Sequence, residues 1–503
     1  MRIKSILVRP VARYVMHKVR QWSARPEEAQ EKTLKSIVTI AAKTVFGQEH
    51  DFDAIRNYED FQQRVPLRSY EDYRHYLELI FQGGKNILWP GQPLYFAKTS
   101  GTTSGMKYIP ITRDSLGNHF YSAQTALLLF MAQTGKWRIM DGKMIFLSGS
   151  PRLEDKNGIP AGRLSGIVNH HIPAYLRTHQ LPLWETNCIE DWERKIDAIV
   201  SETCHENMTL ISGIPPWVQM YFDRLIAKTG LPVKQLFPQL EVVVHGGVNF
   251  EPYRRRMEES LGGEVQMLET YPASEGFIAY QDTPEWRGLL LNVDSGIFFE
   301  FVPADRIYDP QPPRYSVSQV QTGVQYAVII NSNAGLWGYV LGDTVKFVSL
   351  QPPRIMVTGR ISQYISAFGE HVIAEEVEAA LQETLQVEPA VVTEFTVAPC
   401  VNPPDGELPY HEWLIEFEQP PANPKRFAAE LDAHLCARNF YYRDLIVGKV
   451  LRPLKIRFLR KNTFIDYMKQ EGRLGGQNKV PHLSNDRKMA DALQFGYLQT
   501  TIG

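Results

Sequence analysis

The chain has 503 residues, of which 44% are hydrophobic and 22% are charged, and its formal net charge is −2 at pH 7. This length exceeds one typical hydrophobic core, so we expect at least two globular domains. The near-neutral charge argues against a polyanion-binding role for the whole molecule. The cysteines (Cys188, Cys204, Cys400 and Cys436) form no Cys-x-x-Cys pair. We therefore expect reduced thiols in a cytoplasmic protein rather than a disulfide framework or a zinc site.

The N-terminal segment is basic and contains no acidic residue before Glu27. We interpret it as a helix that packs on the body of the protein; a helix on an acidic membrane surface is the alternative. Its apolar run, Ile6–Val8, is too short for a secretory signal. No segment approaches the roughly 18 uncharged apolar residues of a membrane-spanning helix, so none is predicted.

The hydrophobic pattern predicts helices first and then alternating strands and helices. Apolar positions recur at helical spacing over residues 26–83. Beyond Leu94, short apolar runs predict strands near Met144–Leu147, Leu210–Ile211 and Leu240–Val244, and helical spacing covers 191–200, 216–228 and 374–385. This alternation predicts an α/β fold with a largely parallel sheet. Ligands bind such sheets at the carboxyl ends of the strands.

A hydroxyl-rich loop lies between Phe96 and Pro110 and ends at Lys107. Its polar and glycine residues are Thr99, Ser100, Gly101, Thr102, Thr103, Ser104 and Gly105. Glycine lets the backbone approach a ligand closely, and hydroxyl and amide groups donate hydrogen bonds to phosphate. The Walker spacing is absent. We interpret the segment as a phosphate-binding loop; a flexible surface loop is the alternative.

Three further motifs follow this loop in chain order. Gly246–Gly247 come directly after an apolar strand and can expose bare backbone to a flat heterocycle. Tyr271, Ser274 and Glu275 share one turn, where they can offer an aromatic surface, a phosphate donor and an oxygen ligand for Mg²⁺. Asp343 follows a glycine at a predicted strand end, where a carboxylate can accept both ribose hydroxyls. Together, these motifs predict a nucleotide site.

In this order the motifs resemble the adenylate-forming superfamily of acyl-CoA synthetases, luciferases and peptide-synthetase adenylation domains. The hydroxyl-rich loop resembles its phosphate loop. Tyr271–Glu275 resembles its Tyr-Gly-x-Ser/Thr-Glu motif, with Pro272 in place of the glycine, and Gly342–Asp343 resembles its ribose-binding motif. The segment 359–369 resembles the hinge before the C-terminal domain and places the hinge residue at Ser362.

Within that superfamily, three segments resemble the auxin-responsive Gretchen-Hagen family, whose plant members are acyl acid amido synthetases. They are Thr44–His50, Lys107–Pro110 and Asn478–Arg487. The resemblance implies an α/β fold with a large multi-layer N-terminal adenylate-forming domain, 1–361, and a smaller mobile α+β C-terminal domain, 362–503.

The implied activity is that of an ATP- and Mg²⁺-dependent ligase. It would activate a small carboxylic acid as an acyl-adenylate and pass the acyl group to the amine of an amino acid. Two alternatives stay open: transfer to the thiol of coenzyme A or a carrier protein, and a catalytically inactive nucleotide-binding protein. Segment 438–488 is basic and 363–437 is acidic; we interpret them as halves that pair within one domain. A nucleic-acid partner is not predicted, because no recognised motif accompanies the basic segment.

The resemblance also assigns roles to individual residues. The hydroxyl-rich loop and Lys107 would hold the β- and γ-phosphates. The other assignments are Gly246, Gly247 and Tyr271 to the adenine, Ser274 to the α-phosphate, Glu275 to Mg²⁺, Asp343 and Arg360 to the ribose, and Lys479 to the catalytic lysine, with His371 as a second possibility. For the acyl pocket, position alone suggests 166–176, with His170 and His171, and Ile214–Val218.

Overall fold

A computed structural model describes most of the chain. The described residues are 3–100, 106–172, 174–247, 250–284, 288–361, 364–365, 372–403, 408–447, 450–474, 479–484 and 486–502. They divide into two compact units. The large unit contains the chain up to Phe250, Met257–Leu341 and Val345–Val357; the small unit contains Glu251–Arg256, Gly342–Thr344 and the chain from Thr358 onward. The α/β class and this pairing of a large and a smaller unit confirm the predicted fold class.

Helices dominate the first part of the large unit, as predicted. The helices up to the start of the small unit's first segment are α1 (Ile3–Ser23), α2 (Pro26–Ala41), α3 (Val45–Glu49), α4 (Tyr58–Arg64), α5 (Arg74–Phe81), α6 (Arg113–Thr134), α7 (Leu164–His170), α8 (Ala174–Arg177), α9 (Trp184–Asn187), α10 (Trp192–Thr203), α11 (Pro215–Thr229), α12 (Val233–Leu236) and α13 (Glu251–Leu261). Short 3₁₀ turns lie at Phe52–Ala54, Glu71–Tyr73, Trp137–Asp141, Ala304–Arg306 and Leu493–Gly496.

Local sequence signals explain where the helices begin and end. At the start of α6, the Thr112 hydroxyl accepts a bond from the Ser115 amide, and Ser115 Oγ accepts one from the Thr112 amide. Helix α1 packs against α6, burying Val19 beside Ala126. The prediction that the basic N-terminal helix packs on the body is confirmed.

The strands of the large unit form two sheets. The strands are β1 (Tyr95–Ser100), β2 (Met106–Ile111), β3 (Lys143–Phe146), β4 (Glu154–Lys156), β5 (Ile159–Gly162), β6 (Gln180–Leu181), β7 (Met208–Ser212), β8 (Val242–Gly246), β9 (Gln266–Ala273), β10 (Gly276–Tyr280), β11 (Leu289–Leu291), β12 (Ile297–Pro303), β13 (Gln325–Ser332), β14 (Tyr339–Leu350) and β15 (Pro353–Arg360). Within the described residues, one sheet has the order β2-β1-β5-β4 and the other β12-β13-β14-β15-β11-β10-β9-β8-β7-β3-β6.

The expectation of a largely parallel sheet is right for only part of the larger sheet. Strands β6, β3, β7, β8 and β9 pair in parallel, with helices in their connections. The pairs β9–β10, β10–β11, β11–β15 and β12–β13 are antiparallel. Short connections such as the two residues between β9 and β10 can join only antiparallel neighbours.

The small unit has its own sheet and core. Its elements from the first strand onward are β16 (Tyr364–Ile365), β17 (Val372–Ile373), α14 (Ala374–Val387), β18 (Val391–Cys400), β19 (Tyr410–Gln419), α15 (Pro424–Arg438), α16 (Phe440–Val447), β20 (Lys455–Leu459), α17 (Thr463–Gln470), α18 (Lys488–Ala492) and β21 (Tyr497–Ile502). The sheet order is β18-β19-β20-β21. Phe395, Trp413 and Leu431 are fully buried in its core.

Opposite charges pair inside this unit. Arg457 and Arg487, from the basic segment, both bond to the buried carboxylate of Glu412 from the acidic segment, at 3.0 and 2.7 Å. This confirms the interpretation that the two segments pair within one domain. All four cysteines are free. In the part of the chain that the structure describes, no helix combines the length and apolar character needed to cross a membrane.

Candidate active site

The hydroxyl-rich loop is flanked by an antiparallel hairpin. Strands β1 and β2 pair from Tyr95↔Ile111 to Ser100↔Met106, so Thr99 lies opposite Lys107. The Lys107 ammonium group lies 5.5 Å from the centre of the Tyr70 ring. The Tyr70 hydroxyl accepts a hydrogen bond from the Tyr108 amide at 2.8 Å, which ties this ring to β2. The middle of the loop, Gly101–Gly105, lies outside the described residues.

The glycine pair meets the tyrosine motif at the ends of two parallel strands. Gly246 is in register with Thr270, so Gly246–Gly247 lie beside Tyr271. A Cβ atom at Gly246 would collide with the Thr270 carbonyl oxygen, which explains the need for glycine. Gly247 has φ +83°, a conformation that other residues rarely adopt. Tyr271 is buried in β9 rather than in the turn. The structure therefore brings the predicted adenine-binding residues together.

Ser274 and Glu275 form the turn between β9 and β10. Ser274 is buried and Glu275 is partly exposed. Helix α6 anchors the start of β10 directly after the turn, because Asn118 Oδ1 accepts a 2.6 Å hydrogen bond from the Phe277 amide. From β14, the Tyr339 hydroxyl donates to Glu275 Oε1 at 3.3 Å. The carboxylate is therefore fixed at the sheet edge by a side chain from a distant strand.

Tyrosines connect Glu275 to the hairpin. Burial, followed by the charge of Glu275 and the nearby Tyr73 and Tyr70, raises the pKa of Tyr339 well above its ordinary value, so its hydroxyl keeps its proton. The Tyr73 and Tyr339 rings lie 5.7 Å apart. Tyr73 is itself locked, since its hydroxyl donates to the Trp337 carbonyl at 2.6 Å. Tyr70 therefore lies near both Lys107 and Tyr339. Tyr339 in turn bonds to Glu275.

Sequence reasoning missed Tyr339, Tyr70 and Asn118. Tyr339 lies four residues before the predicted ribose residue, and that spacing was the only available signal. Tyr70 lies directly before the 3₁₀ turn Glu71–Tyr73, and Asn118 lies on α6, where polar side chains are usually solvent-exposed.

In the small unit, Asp343 pairs with Arg360. Arg360 Nε donates to Asp343 Oδ1 at 2.9 Å, and the Arg360 side chain is far more exposed than that of Asp343, 46% against 14%. The expected strand end is wrong, because β14 continues through Asp343 to Leu350. The local break comes instead from Gly342, whose φ of +93° redirects the strand.

Lys479 lies close to the same two residues. Crowding by protein atoms lowers the pKa of Lys479 below its ordinary value; the negative charge of Asp343 opposes the shift, and the positive charge of Arg360 adds to it. The residue as a whole remains exposed to solvent, which tempers this desolvation. The structure therefore brings Asp343, Arg360 and Lys479 together within one unit. Ser362 and His371 lie outside the described residues.

The segment that follows Lys479 is pinned to β18. The Val397 amide donates to the His482 carbonyl at 2.9 Å, and the Ser484 amide donates to the Val397 carbonyl at the same distance. The Thr396 hydroxyl donates to the Pro481 carbonyl at 2.6 Å. This anchoring fixes the chain two to five residues beyond Lys479.

His482 adds a charged contact to this anchor. Its ring nitrogens lie 2.6 Å from Glu378 Oε1 and 3.1 Å from Glu394 Oε1. Burial alone would lower the pKa of His482, but the two carboxylates outweigh it and raise the pKa to about 10. The ring also stacks on Phe395 with centroids 4.3 Å apart. His482 is therefore positively charged at neutral pH.

The acyl-pocket residues suggested by position have identifiable partners. His171 Nε2 lies 2.9 Å from the Tyr95 hydroxyl, and its ring packs edge-on against Phe120. His170 Nε2 instead bonds to the Pro151 carbonyl at 2.8 Å. Segment Ile214–Val218 begins α11.

The residues at the sheet edge fit a magnesium ion carried by a nucleotide. Mg²⁺ bound with a nucleotide takes one or two carboxylates, with phosphate oxygens and water as its other ligands. Glu275 offers one oriented, partly exposed carboxylate. The described residues contain no cluster of three or more His, Cys, Asp or Glu that would form an all-protein cage. Glu275 would hold the ion.

Comparisons with known proteins identify the family to which the chain is similar. Models of one family match three regions: the GH3 family N-terminal domain over 15–185, its central domain over 290–360 and its C-terminal domain over 375–488. A jasmonoyl–L-amino acid synthetase of Nicotiana attenuata, JAR4, is 22% identical over 63% of this chain and 66% of its own length. A jasmonoyl–L-amino acid synthetase of Oryza sativa subsp. japonica, GH3.5, is 21% identical over 91% and 92%.

A solved structure has the same fold. The GH3.15 acyl acid amido synthetase superposes with a TM-score of 0.78, covering 97% of this chain and 96% of its own, at 15% sequence identity. The three family models together cover most of the chain, in the order of the domains that they describe. The chain belongs to the GH3 family.

Proposed function

We propose that the protein is an ATP-dependent ligase that activates a carboxylic acid as an acyl-adenylate and transfers the acyl group to the amine of an amino acid. The observation that carries the proposal is the position of Glu275, whose carboxylate is held by Tyr339 at the sheet edge where Gly246–Gly247 expose bare backbone. Membership of the GH3 family supports the same activity. The names of the relatives describe acyl acid and amino acid substrates for those proteins.

The first half-reaction would form the adenylate. A carboxylate oxygen of the acid forms a bond to the α-phosphorus of ATP, and pyrophosphate leaves with the electron pair of the broken P–O bond. Such a step needs positioning and charge neutralisation rather than covalent help from the protein. Lys107 and the hydroxyl-rich loop would hold the β- and γ-phosphates, and Ser274 the α-phosphate. Mg²⁺ held by Glu275 would supply charge neutralisation when bound.

The second half-reaction would form the amide. The amine nitrogen forms a bond to the acyl carbon, the C–O bond to AMP breaks, AMP keeps the bonding electrons, and the nitrogen releases a proton. Asp343 and Arg360 would hold the ribose. Lys479 would neutralise charge that develops during adenylation. We assign the hinge to Ser362 and the domain boundary to 361/362, and we infer a cytoplasmic location, where the free cysteines stay reduced.

The test is acid-dependent exchange of labelled pyrophosphate into ATP. The panel of acids should include jasmonate, indole-3-acetate, benzoate and fatty acids. Glu275→Gln should lower exchange by about 100-fold or more, because a metal ligand contributes several kcal/mol to such a transition state. Glu264→Gln, an exposed carboxylate just before β9, is the matched control and should keep full exchange.

The same samples then identify the acceptor. Each amino acid, or coenzyme A, is added, and the product is identified by mass spectrometry. An amide supports the proposal. A thioester would replace the proposed acceptor while leaving adenylation intact. ATP binding without exchange for any acid would contradict the proposed catalysis and favour an inactive nucleotide-binding protein.

A further inference from the structure

Two cations lie at the carboxyl end of β3. Lys195, on α10, is 1% exposed, and its ammonium group donates to the Ser148 carbonyl at 2.8 Å and the Asn187 carbonyl at 2.7 Å. Arg163 directly follows β5 and is half-buried. The Arg163 side chain crosses Gly149, where a Cβ atom would lie 2.6 Å from Arg163 Cδ and 3.4 Å from Nη1. Gly149 therefore makes the space that the Arg163 side chain occupies.

Neither cation has a carboxylate partner among the residues that the structure describes. Burial lowers the pKa of Lys195 to about 8, the thiol of Cys188 opposes the shift, and Arg163 adds to it. Burial also lowers the pKa of Arg163. Among the described residues, no aspartate or glutamate side chain contributes to either shift. Since each charge destabilises the other, the pair has unbalanced positive charge.

Two other arginines of the same unit, Arg314 and Arg354, have carboxylate partners. Arg314 bonds to Glu300 at 2.6 Å, and Arg354 bonds to Asp282 at 2.6 Å. The arginine side chains in both pairs are less than 10% exposed. In each of these two pairs a carboxylate compensates the charge of a buried guanidinium group. Arg163 departs from that pattern.

Arg163 also lies beside the strand that enters the hydroxyl-rich loop. Strands β1 and β5 run parallel, with Gly162 in register with Ala97. Arg163 is one residue beyond that pair, and Thr99 is two residues beyond it on β1. Arg163 therefore lies near Thr99, at the carboxyl ends of β1 and β5, and its side chain reaches Gly149, three residues beyond the end of β3.

We propose that Arg163 binds a carboxylate that a substrate keeps throughout the reaction, and that this group belongs to the amino acid acceptor. The assignment rests on the proposed function. The carboxylate of the acid loses its charge when it becomes an acyl-adenylate, whereas that of the acceptor stays charged until the amide leaves. A permanent guanidinium, which can form two parallel bonds to a carboxylate, suits the second group. Lys195 would position the Ser148 backbone and add positive charge behind Arg163.

A second source has the same chemistry. An acid substrate with two carboxylates would also keep one charge after activation. Both sources would present a carboxylate that stays charged. Comparing an amino acid with its decarboxylated amine tests the acceptor, and comparing glutarate with butyrate tests a dicarboxylic acid substrate.

The test uses the full chain and three variants. Arg163→Gln removes the charge, Arg163→Lys keeps the charge but loses the planar fork, and Arg152→Gln is the matched control. Arg152 lies on the neighbouring loop, and its side chain is 67% exposed with Glu190 4.0 Å away. Thermal unfolding is followed with L-alanine, L-leucine or L-phenylalanine, and with ethylamine, isopentylamine or phenethylamine, which lack the carboxylate.

The amino acids should raise the melting temperature of the natural protein and of Arg152→Gln, should do so weakly in Arg163→Lys, and should have no effect in Arg163→Gln. The amines should raise it in none. In turnover assays, Arg163→Gln should raise the KM of the amino acid about 10- to 100-fold, as expected for loss of a hydrogen bond to a charged group, with pyrophosphate exchange within about twofold. If Arg163→Gln abolishes the rise in melting temperature with glutarate but not with the amino acids, the bound carboxylate belongs to the acid substrate. That result would overturn the assignment to the acceptor.

The proposal is overturned if Arg163→Gln responds to every carboxylate probe as the natural protein does. It is also overturned if amines and amino acids act alike. Stabilisation by Mg·ATP is measured separately in every variant. Its absence, together with absent exchange, would refute the proposed function, while the response to carboxylates would still decide the role of Arg163.

Discussion

Two buried clusters of the protein, one in each unit, hold positive charge in opposite ways. In the small unit, His482 lies between the carboxylates of Glu378 and Glu394 and is compensated by the fold itself. In the large unit, Lys195 is satisfied only by carbonyl oxygens, and Arg163 pairs with no carboxylate among the described residues. Removing a compensated cation leaves its carboxylate partners buried without a counter-charge and destabilises the folded state. An uncompensated cation costs stability and remains available to a ligand.

The largest expected effect is that of His482→Gln. The substitution leaves two buried carboxylates without the positive charge between them, which should cost on the order of 3 kcal/mol. Hydrogen exchange of β18 and β19 measures the local opening free energy. His434→Gln is the control, because His434 is only partly buried and its Nδ1 bonds to the Thr384 hydroxyl at 2.9 Å. Equal losses in the two variants would contradict a special role for the charge.

Alkaline pH should weaken the same contact without any substitution. The folded-state pKa of His482 is raised to about 10. Its stabilising contribution is therefore complete below the unfolded value of about 6.5 and is lost as the pH rises through 10. Between pH 7 and pH 10 we expect a loss of about 1–3 kcal/mol in the opening free energy of β18. The loss should be smaller in His482→Gln, and an identical profile would contradict the assignment.

Tyr253→Phe should have an intermediate effect. The Tyr253 hydroxyl donates to Glu394 Oε2 at 3.0 Å, and both residues belong to the small unit. Loss of a hydrogen bond to a carboxylate costs about 1.5 kcal/mol. A double-mutant cycle with Glu394→Gln, read by hydrogen exchange, isolates the pair. Strictly additive losses would show that the hydroxyl contributes nothing to holding Glu394.

The smallest expected effect is that of Arg163→Gln without ligand. Because no carboxylate is left unpaired, the midpoint of urea unfolding should change by less than the equivalent of about 0.5 kcal/mol. Arg314→Gln, which leaves the fully buried carboxylate of Glu300 without its arginine, should cost about as much as His482→Gln, on the order of 3 kcal/mol. A loss in Arg163→Gln as large as that in Arg314→Gln would remove the contrast between compensated and uncompensated cations.

Sequence patterns located the strand-end residues of the candidate site well. Gly246–Gly247 lie at the end of one apolar strand and Tyr271 lies near the end of its parallel neighbour. Parallel neighbours end at the same edge of a sheet, so this proximity was predictable. The antiparallel half was not, because apolar runs such as β12 have the same composition in either direction. Asp343 was expected at a strand end, since glycine usually interrupts a strand, but here β14 continues beyond Gly342.

The buried charges of Lys195 and His482 could not be predicted from the sequence, for a different reason. Lys195 stands between Glu193 and Asp197 and has the pattern of an exposed helical residue, yet α10 turns it into the interior. His482 gains its charge from Glu378 and Glu394, which are 104 and 88 residues away in the chain. Such contacts depend on tertiary packing, to which local composition gives no clue.

The most direct test of the proposed function follows an oxygen atom. The acid that supports pyrophosphate exchange is prepared with ¹⁸O in both carboxylate positions and is incubated with ATP and the acceptor, and the AMP is analysed by mass spectrometry. Acyl-adenylate formation predicts that one ¹⁸O atom passes from the acid to each AMP and that the amide keeps the other. Unlabelled AMP, or ADP and phosphate in place of AMP and pyrophosphate, would contradict the proposed reaction.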